Sequence, residues 1–362
     1  MYFLSFLFCL VLAQTYACTT DLDCQLNGVC KAGTCGCDAP WTGPECGQLI
    51  YSPDSGGKTQ DVRGKDLYPI NDTNHNTWNG PIVGPVDDLY YMYLPLYPAG
   101  DLYHPTDVLL GTAPDYYGPW TYTPLKDVLV DINPGAMAYN DPKTGKPVYT
   151  LWLRTNLYSS ASPAGPFTII DSNLPKDCSI NASPIYYKGL FYCTGSKGVA
   201  IWTTPELGQT WTNYANITKI TGGEDPFLWV DTRDNWHMLY HAAGGGLTTN
   251  CGNGSVAQHY YSQDEGKTWT TQPDIHPYAP IIQWADGEQA YNTLERPHVY
   301  FDENGVMIYL TVAADLGRGG EGCAEKPNPC DPRGELRNNC PCSECKYMDH
   351  AGTVLIALGS EN

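Results

Sequence analysis

Two acidic steps in the sequence carry the residue types needed for proton-transfer chemistry. They are Glu224-Asp225, followed by Pro226, and Glu295-Arg296, followed by Pro297. A carboxyl kept protonated by burial or by a neighbouring like charge can act as a general acid, while a second, ionised carboxyl acts as base or nucleophile. Hydrolysis of a glycosidic bond uses such a pair, roughly 5 to 5.5 Å apart for retention and about 6.5 to 9.5 Å apart for inversion. We take Glu224 and Glu295 as the pair, with Asp225 as a like charge beside Glu224. Alternation along a strand would point Asp225 to the face opposite Glu224. Arg296 either binds a hydroxyl or carboxylate of a sugar or holds Glu295 ionised. Asp72, Asp87 and Asp131 are reserve carboxyls, Asp87 within a turn. Trp78, Trp284 and Tyr291 stand near these steps and offer ring faces on which a sugar could stack.

Both steps belong to a repeat. Five segments place a Pro after polar or small residues and then run apolar: Asn79-Gly80-Pro81, Asn133-Pro134, Ala182-Ser183-Pro184, Glu224-Asp225-Pro226 and Glu295-Arg296-Pro297. Each is followed by a second, aromatic-rich stretch beginning at Leu89, Val148, Leu190, Trp236 or Met307. Turn residues separate the two stretches, among them Asp87-Asp88, Lys188-Gly189 and Asp302 to Gly305, so each pair reads as a hairpin. Further on comes a glycine turn with an aromatic: Gly118 and Trp120, Gly165 and Phe167, Gly208 and Trp211, Gly266 and Trp269. The last of these, Ser262 to Trp269, is a full Asp-box, whose carboxylate ties a turn while its Trp packs between sheets.

Four-stranded units repeated in this way predict an all-β fold, a five-bladed β-propeller over residues 50–362. The innermost strand of each blade lines the central channel. Its start opens on one face, so Asn79, Asn133, Ser183, Glu224, Asp225, Glu295 and Arg296 should converge there. Trp78, Asn79, Asn133, Trp284 and Arg296 are the candidate substrate-binding residues. His104, His237, His241 and His298 read as hydrogen-bonded core residues. No His or Cys spacing has zinc-site form, so neither a metal nor a cofactor is expected.

The proline-started blades resemble the furanosidase propellers, glycoside hydrolase family 43 above all, with its arabinanase, invertase and levansucrase relatives. The resemblance runs from about Asn71 to Leu358. It implies a general acid at Glu224, two residues before the fourth Pro. It also implies an Asp immediately before the first and third Pro, where this chain has Gly80 and Ser183. A glycosidase acting on an extracellular polysaccharide is the function this implies. The alternative is a non-catalytic carbohydrate-binding or adhesion propeller.

Residues 1–17 read as a signal peptide, an apolar run with small residues at Ala13 and Ala17. The run is too short to span a membrane. No later stretch is long and apolar enough, and no anchor signal is seen at the C-terminus. Of 15 cysteines Cys9 lies in this segment, and the remaining even number suits an oxidising, extracellular compartment. Six fall at Cys18, Cys24, Cys30, Cys35, Cys37 and Cys46, and spacing alone leaves 15 pairings open. Residues 18–49 resemble an epidermal-growth-factor-like module, which implies pairs 18–30, 24–35 and 37–46. Cys178 and Cys193 flank the third blade start and should pair. Cys251 should join the cysteine-rich segment Gly317 to Lys346. Sequons at Asn71, Asn216 and Asn253 fit a glycoprotein, and that at Asn181 is weakened by Pro184. A net charge of -19 opposes nucleic acid and anionic membranes, leaving a carbohydrate substrate or glycan ligand as partner.

Overall fold

Proline has no N–H and is tolerated in a sheet only where that donor would face away from a partner strand. The inner strand of a blade meets this condition, because its channel side is an open edge. The computed structural model describes residues 17–51, 75–98, 104–196, 200–217, 223–242, 256–278, 281–284, 287–290, 293–315 and 351–359. The expected signal peptide, Asp72, Tyr291, Cys251, the cysteine-rich segment and the sequons at Asn71 and Asn253 lie outside these residues.

The chain opens with two short antiparallel pairs. They are β1 (Gly28–Lys31) with β2 (Thr34–Cys37), and β3 (Trp41–Thr42) with β4 (Gln48–Leu49). Disulfides Cys18–Cys30, Cys24–Cys35 and Cys37–Cys46 hold them. A segment this small buries too little apolar surface to fold without such cross-links.

Five sheets follow. Blade I is β6 (Ile82–Val86), β7 (Leu89–Pro98), β8 (Asp107–Ala113) and β9 (Thr121–Pro124), with β5 (His75–Thr77) paired to the far end of β7. Blade II is β10 (Gly135–Asn140), β11 (Pro147–Leu153), β12 (Asn156–Ser160) and β13 (Thr168–Asp171). Blade III is β14 (Ser183–Tyr187), β15 (Leu190–Thr194), β16 (Ala200–Thr204) and β17 (Thr212–Asn216), with Cys178 joined to Cys193 on β15. Blade IV is β18 (Gly223–Val230), β19 (Trp236–Ala242), β20 (Val256–Ser262) and β21 (Thr270–Thr271). A hairpin of β22 (Ile281–Trp284) and β23 (Gly287–Ala290) leads to blade V, which is β24 (Thr293–Phe301), β25 (Met307–Asp315) and β26 (Ala351–Ala357).

Every blade is an antiparallel meander, as the repeat predicts. Asp87, Asp88, Lys188 and Gly189 all take positive φ, the conformation that two-residue hairpin turns demand. The Asp-box is structural. Asp264 accepts from the Lys267 and Thr268 amides, and the Trp269 indole donates to Gly266 O. Asn216 is exposed, whereas Asn181 is buried against Asn133 and cannot present its side chain for glycosylation.

The ring closes on chain from the other end of the sequence. Tyr51 bridges Leu358, and Gly359 N donates to Ile50 O, so the N-terminal segment lies beside the last strand. The disulfide module is thereby part of the main core, with Cys24, Trp41 and Leu49 in the same apolar cluster as Leu239, Leu294 and Leu310.

A polar relay joins the module to blade IV. His259 Nδ1 lies 3.3 Å from Asn27 Nδ2, His259 Nε2 lies 3.0 Å from His237 Nδ1, and His237 Nε2 lies 3.4 Å from Asp231 Oδ2. Asn27 can only donate through Nδ2, and the Gln25 amide, also 3.3 Å from His259 Nδ1, fits when turned to present its otherwise unpartnered nitrogen, so one proton order satisfies the relay: Asn27 to His259, His259 to His237, His237 to Asp231. Both rings are then neutral. Burial depresses both histidine pKa values, while His237 and Asn235 hold Asp231 at about 2 against its own burial. Arg233 completes the joint with bonds to Leu26 O at 2.5 Å and Asp38 at 2.6 Å.

Depressed histidines contribute stability above their unfolded pKa of about 6.5, and that contribution is lost as pH falls below it. The unfolding free energy should therefore fall between pH 7.5 and 5 by at most about 1.4 kcal/mol per pH unit per ring, seen as a drop in melting temperature. In His259→Leu the midpoint at pH 7.5 should fall and the acid-side slope should flatten. An equally steep slope in the variant would show that the relay is not the titrating element.

Candidate functional site

The prolines that start β18 and β24 leave gaps in the ladders, and both strands bulge there. On β18 the pairing runs Glu224 with His241 and then Phe227 with Leu239. On β24 it runs Glu295 with Ala313 and then His298 with Thr311. One extra residue is accommodated each time, with Asp225 at φ 58° and Arg296 at φ 51°. Asn79 and Asn181 take φ 54° at the starts of blades I and III. Non-glycine residues in this region cost roughly 1 kcal/mol or more and persist where the surroundings fix them.

The bulge corrects the expected alternation on β18. One oxygen each of Glu224 and Asp225 and one ring nitrogen of His241 all lie within 4.8 Å of one another, so the adjacent carboxyls share one cluster. His241 reaches across to blade V as well. Its Nε2 is 3.6 Å from Glu295 Oε1, and its Nδ1 is 4.0 Å from Asp225 Oδ2. Neither ring nitrogen has a hydrogen-bond partner among the described residues. His241 is therefore not the hydrogen-bonded core residue that the sequence suggested. Three donors this close could also hold a cation, although the Arg296 guanidinium 3.8 Å from Asp225 opposes one.

Burial separates the cluster into a front and a back. Glu224 is partly exposed, whereas Asp225, His241, Glu295 and Arg296 are each at most 5% exposed. Burial raises the Asp225 pKa to about 7, with Arg296 pulling it down and Glu224 pushing it up. Burial lowers that of His241 despite Asp225 and Glu224, so the ring is neutral at pH 7.

Arg296 bonds the starts of other blades. It donates to Trp78 O at 3.1 Å, Asn79 O at 3.3 Å and Pro134 O at 3.5 Å. Asn79 is fully buried and donates to Arg296 O at 2.6 Å. Asn133 donates to Asn181, joining blades II and III. Trp78 packs among Tyr97, Ala313 and Ile132. Trp284 ends β22. Asp131 is buried and ties its own loop, accepting from the Ile132 and Arg154 amides. Asp87 sits in the exposed turn at the far end of β6.

The two positions where the family resemblance implies Asp are closed. A β-carbon on Gly80 would collide with the Tyr93 carbonyl oxygen. The Ser183 hydroxyl accepts the Leu228 amide at 2.7 Å. Behind the cluster the inner strands enclose a mostly apolar cavity of about 330 Å³, lined by Ile82, Ala136, Leu228, His298 and Tyr300 among others. His298 has its pKa lowered to about 3 by burial and by Arg296.

No protein-family model matches the sequence, and no curated protein matches it. Among solved structures, an α-L-arabinofuranosidase from Podospora anserina, in complex with cellotriose, superposes with TM-score 0.53 at 10% identity. The match covers 87% of this chain and 95% of that one. A thermostable family-43 glycoside hydrolase gives TM-score 0.45 at 13% identity over 68% and 86%. An endo-arabinase from Bacteroides thetaiotaomicron gives 0.47 at 12% over 82% and 98%. The first match establishes the fold, a five-bladed propeller of the kind used by a glycosidase.

Two outcomes follow. Asp225 has a raised pKa, so its contribution to stability is full below about 3.8 and is lost as pH rises through about 7. Urea unfolding at pH 5 and 8 should show Asp225→Asn gaining on the parent protein as pH rises, and an unchanged difference would refute the assignment. Gly80→Asp should lose about 3 kcal/mol or more in the same assay, because the carboxylate cannot be seated without moving the backbone.

Proposed function

We propose that the protein is a secreted glycoside hydrolase acting on furanoside linkages of an extracellular polysaccharide. The observation that carries this reading is the layered acid cluster: a partly exposed Glu224 at the mouth of the propeller, backed by Asp225, His241 and Glu295. Glu224 is the general acid that protonates the leaving oxygen. Asp225 stands behind it with a pKa raised to about 7, which keeps a proton available at neutral pH. Glu295 is too deeply buried to attack carbon, so a water at the mouth forms the new bond to the anomeric carbon as the leaving oxygen takes the Glu224 proton, and that water's proton returns to Glu224. Arg296 acts on the substrate indirectly, by fixing Trp78, Asn79 and the blade II start in place. The module at residues 18–49, with the crossed disulfides of an epidermal-growth-factor-like unit, buttresses blades IV and V. The furanoside choice draws on the arabinofuranosidase with this fold.

A second reading has its own support. Gly80 and Ser183 close the positions that would hold a base and a further carboxyl in an inverting site, which suits a non-catalytic glycan-binding propeller.

One experiment separates the two. The secreted protein is assayed on 4-nitrophenyl α-L-arabinofuranoside and on arabinan and arabinoxylan, with the same glycans in a binding assay. Under the hydrolase reading, Glu224→Gln lowers sugar release by about 10²- to 10⁴-fold with an unchanged circular dichroism spectrum. Binding without release in the parent protein would establish the second reading instead.

A further inference from the structure

His241 has a position that the acid chemistry alone does not explain. It is the cross-strand partner of Glu224 on β19, so the ladder fixes its backbone. Its ring lies edge-on between a carboxyl of blade IV and a carboxyl of blade V, at 4.0 Å and 3.6 Å. Both gaps exceed hydrogen-bond length, and both bonds form when the two carboxyls draw in toward the ring from either side. The ring is 2% exposed and both nitrogens are unpartnered among the described residues, a costly state for a group placed only for packing.

A neutral imidazole has one donor and one acceptor. Between two carboxyls only one arrangement satisfies every group: a protonated carboxyl donates to one ring nitrogen, and the other nitrogen donates to a carboxylate. We propose that His241 is a positioning residue that shares one proton between Asp225 and Glu295, so that the acid form can lie on either blade. With the proton on Asp225, its O–H donates to Nδ1 and Nε2–H donates to the Glu295 carboxylate. When Asp225 releases its proton to Nδ1, Nε2–H passes to Glu295. The ring stays neutral, one proton has crossed from blade IV to blade V, and total charge is unchanged. This deepens the hydrolase reading and rests on it only for its consequence. When the proton lies on Asp225 it is held within 4.8 Å of a Glu224 oxygen, and Glu224 regains its own proton when Asp225 passes it across that gap and returns to its carboxylate form.

The neighbours suit the exchange. Arg296 faces Asp225 Oδ1 at 3.8 Å and favours its ionised form, while Glu224 opposes that form. The buried Tyr278 hydroxyl lies near enough to both carboxyls for their charge to raise its pKa after burial has done so. Tyr240 is engaged with Gly223 O and stays out of the relay.

The decisive measurement is nitrogen NMR of the histidine rings in the intact, ¹⁵N-labelled protein from pH 5 to 9. The expected result is a His241 ring that is neutral throughout, with its proton divided between Nε2 and Nδ1 below pH 7 and ring signals that move with a midpoint near the Asp225 value of about 7 as the shared proton leaves. Conversion to imidazolium near pH 6.5, or ring signals that do not change over the range, would overturn the proposal. The activity arm uses His241→Gln, which keeps a donor and an acceptor but cannot pass a proton. On 4-nitrophenyl α-L-arabinofuranoside, kcat should fall about 10²-fold with KM unchanged and the alkaline limb of the pH profile displaced. A fall in kcat with the limb in place would mark His241 as merely structural. The NMR result stands on the parent protein alone, so it is read independently of whether His241→Gln folds or whether Glu224→Gln retains activity.

Discussion

A guanidinium buried at the mouth of a ring of sheets has to find hydrogen-bond acceptors for its donors and a negative partner, or its burial costs several kcal/mol. Arg296 meets most of this need by reaching across the ring, its two terminal nitrogens bonded and its Nε facing the Asp225 carboxyl at 3.8 Å without a hydrogen bond. It stands at the start of blade V, bonds carbonyls at the starts of blades I and II, and faces the Asp225 carboxyl of blade IV. These partners stand at the starts of blades I and II and on blade IV, so this set of contacts forms only when the ring is assembled. The closed propeller and the formed site are therefore one event. The positive φ of Arg296 and Asp225 is the local strain that this assembly holds in place.

Closure on the outside depends on a different interaction. Among the described residues blade V has three strands, and Ile50 and Tyr51, just after the disulfide module, pair alongside the third. The module is fixed to blade IV by the Asn27–His259–His237–Asp231 relay and by Arg233. A neutral relay of this kind is cheap at neutral pH and costly in acid, because a second proton on either ring puts two donors face to face. The same residue type appears in two neutral relays on blade IV. His237 and His259 serve the joint, and His241 stands at the opposite end of the blade among carboxyls.

The sheet order was legible in the sequence because it is a local property. Turn pairs such as Asp87-Asp88 and Lys188-Gly189 announce hairpins, and the recurrent proline marks a strand with one open edge. The convergence of Glu224, Glu295 and Arg296 follows from that order. What the sequence hid is everything that depends on a bulge or on distant pairing. Alternation places Asp225 away from Glu224, and only the unpaired residue before Pro226 brings the two together. His241 looks like any apolar-flanked histidine, and its meeting with Glu295 joins strands of different blades. Asn79 reads as a candidate ligand group and Ser183 as a blade start facing the channel, yet their side chains bond Arg296 O and the Leu228 amide, which are remote in sequence. Periodicity carries no information about such contacts.

The placement of charge also constrains the chemistry. The cluster's carboxyls all come from blades IV and V, while the corresponding start of blade I is sealed by the Tyr93 carbonyl and that of blade III is occupied by a serine–amide bond. A sugar at this mouth would meet acids on one side and buried amides on the other. Two opposed carboxylates repel one another and need no intermediary, whereas carboxyls gathered on one side must divide their protons among themselves. The raised Asp225 pKa is the sign of that division, and its first cause is burial, which the bulge imposes. A neutral imidazole between the two deepest carboxyls lets the division be revised without moving net charge through an apolar interior. The proline that breaks the β18 ladder is thus tied to the ionisation of the site through backbone geometry alone.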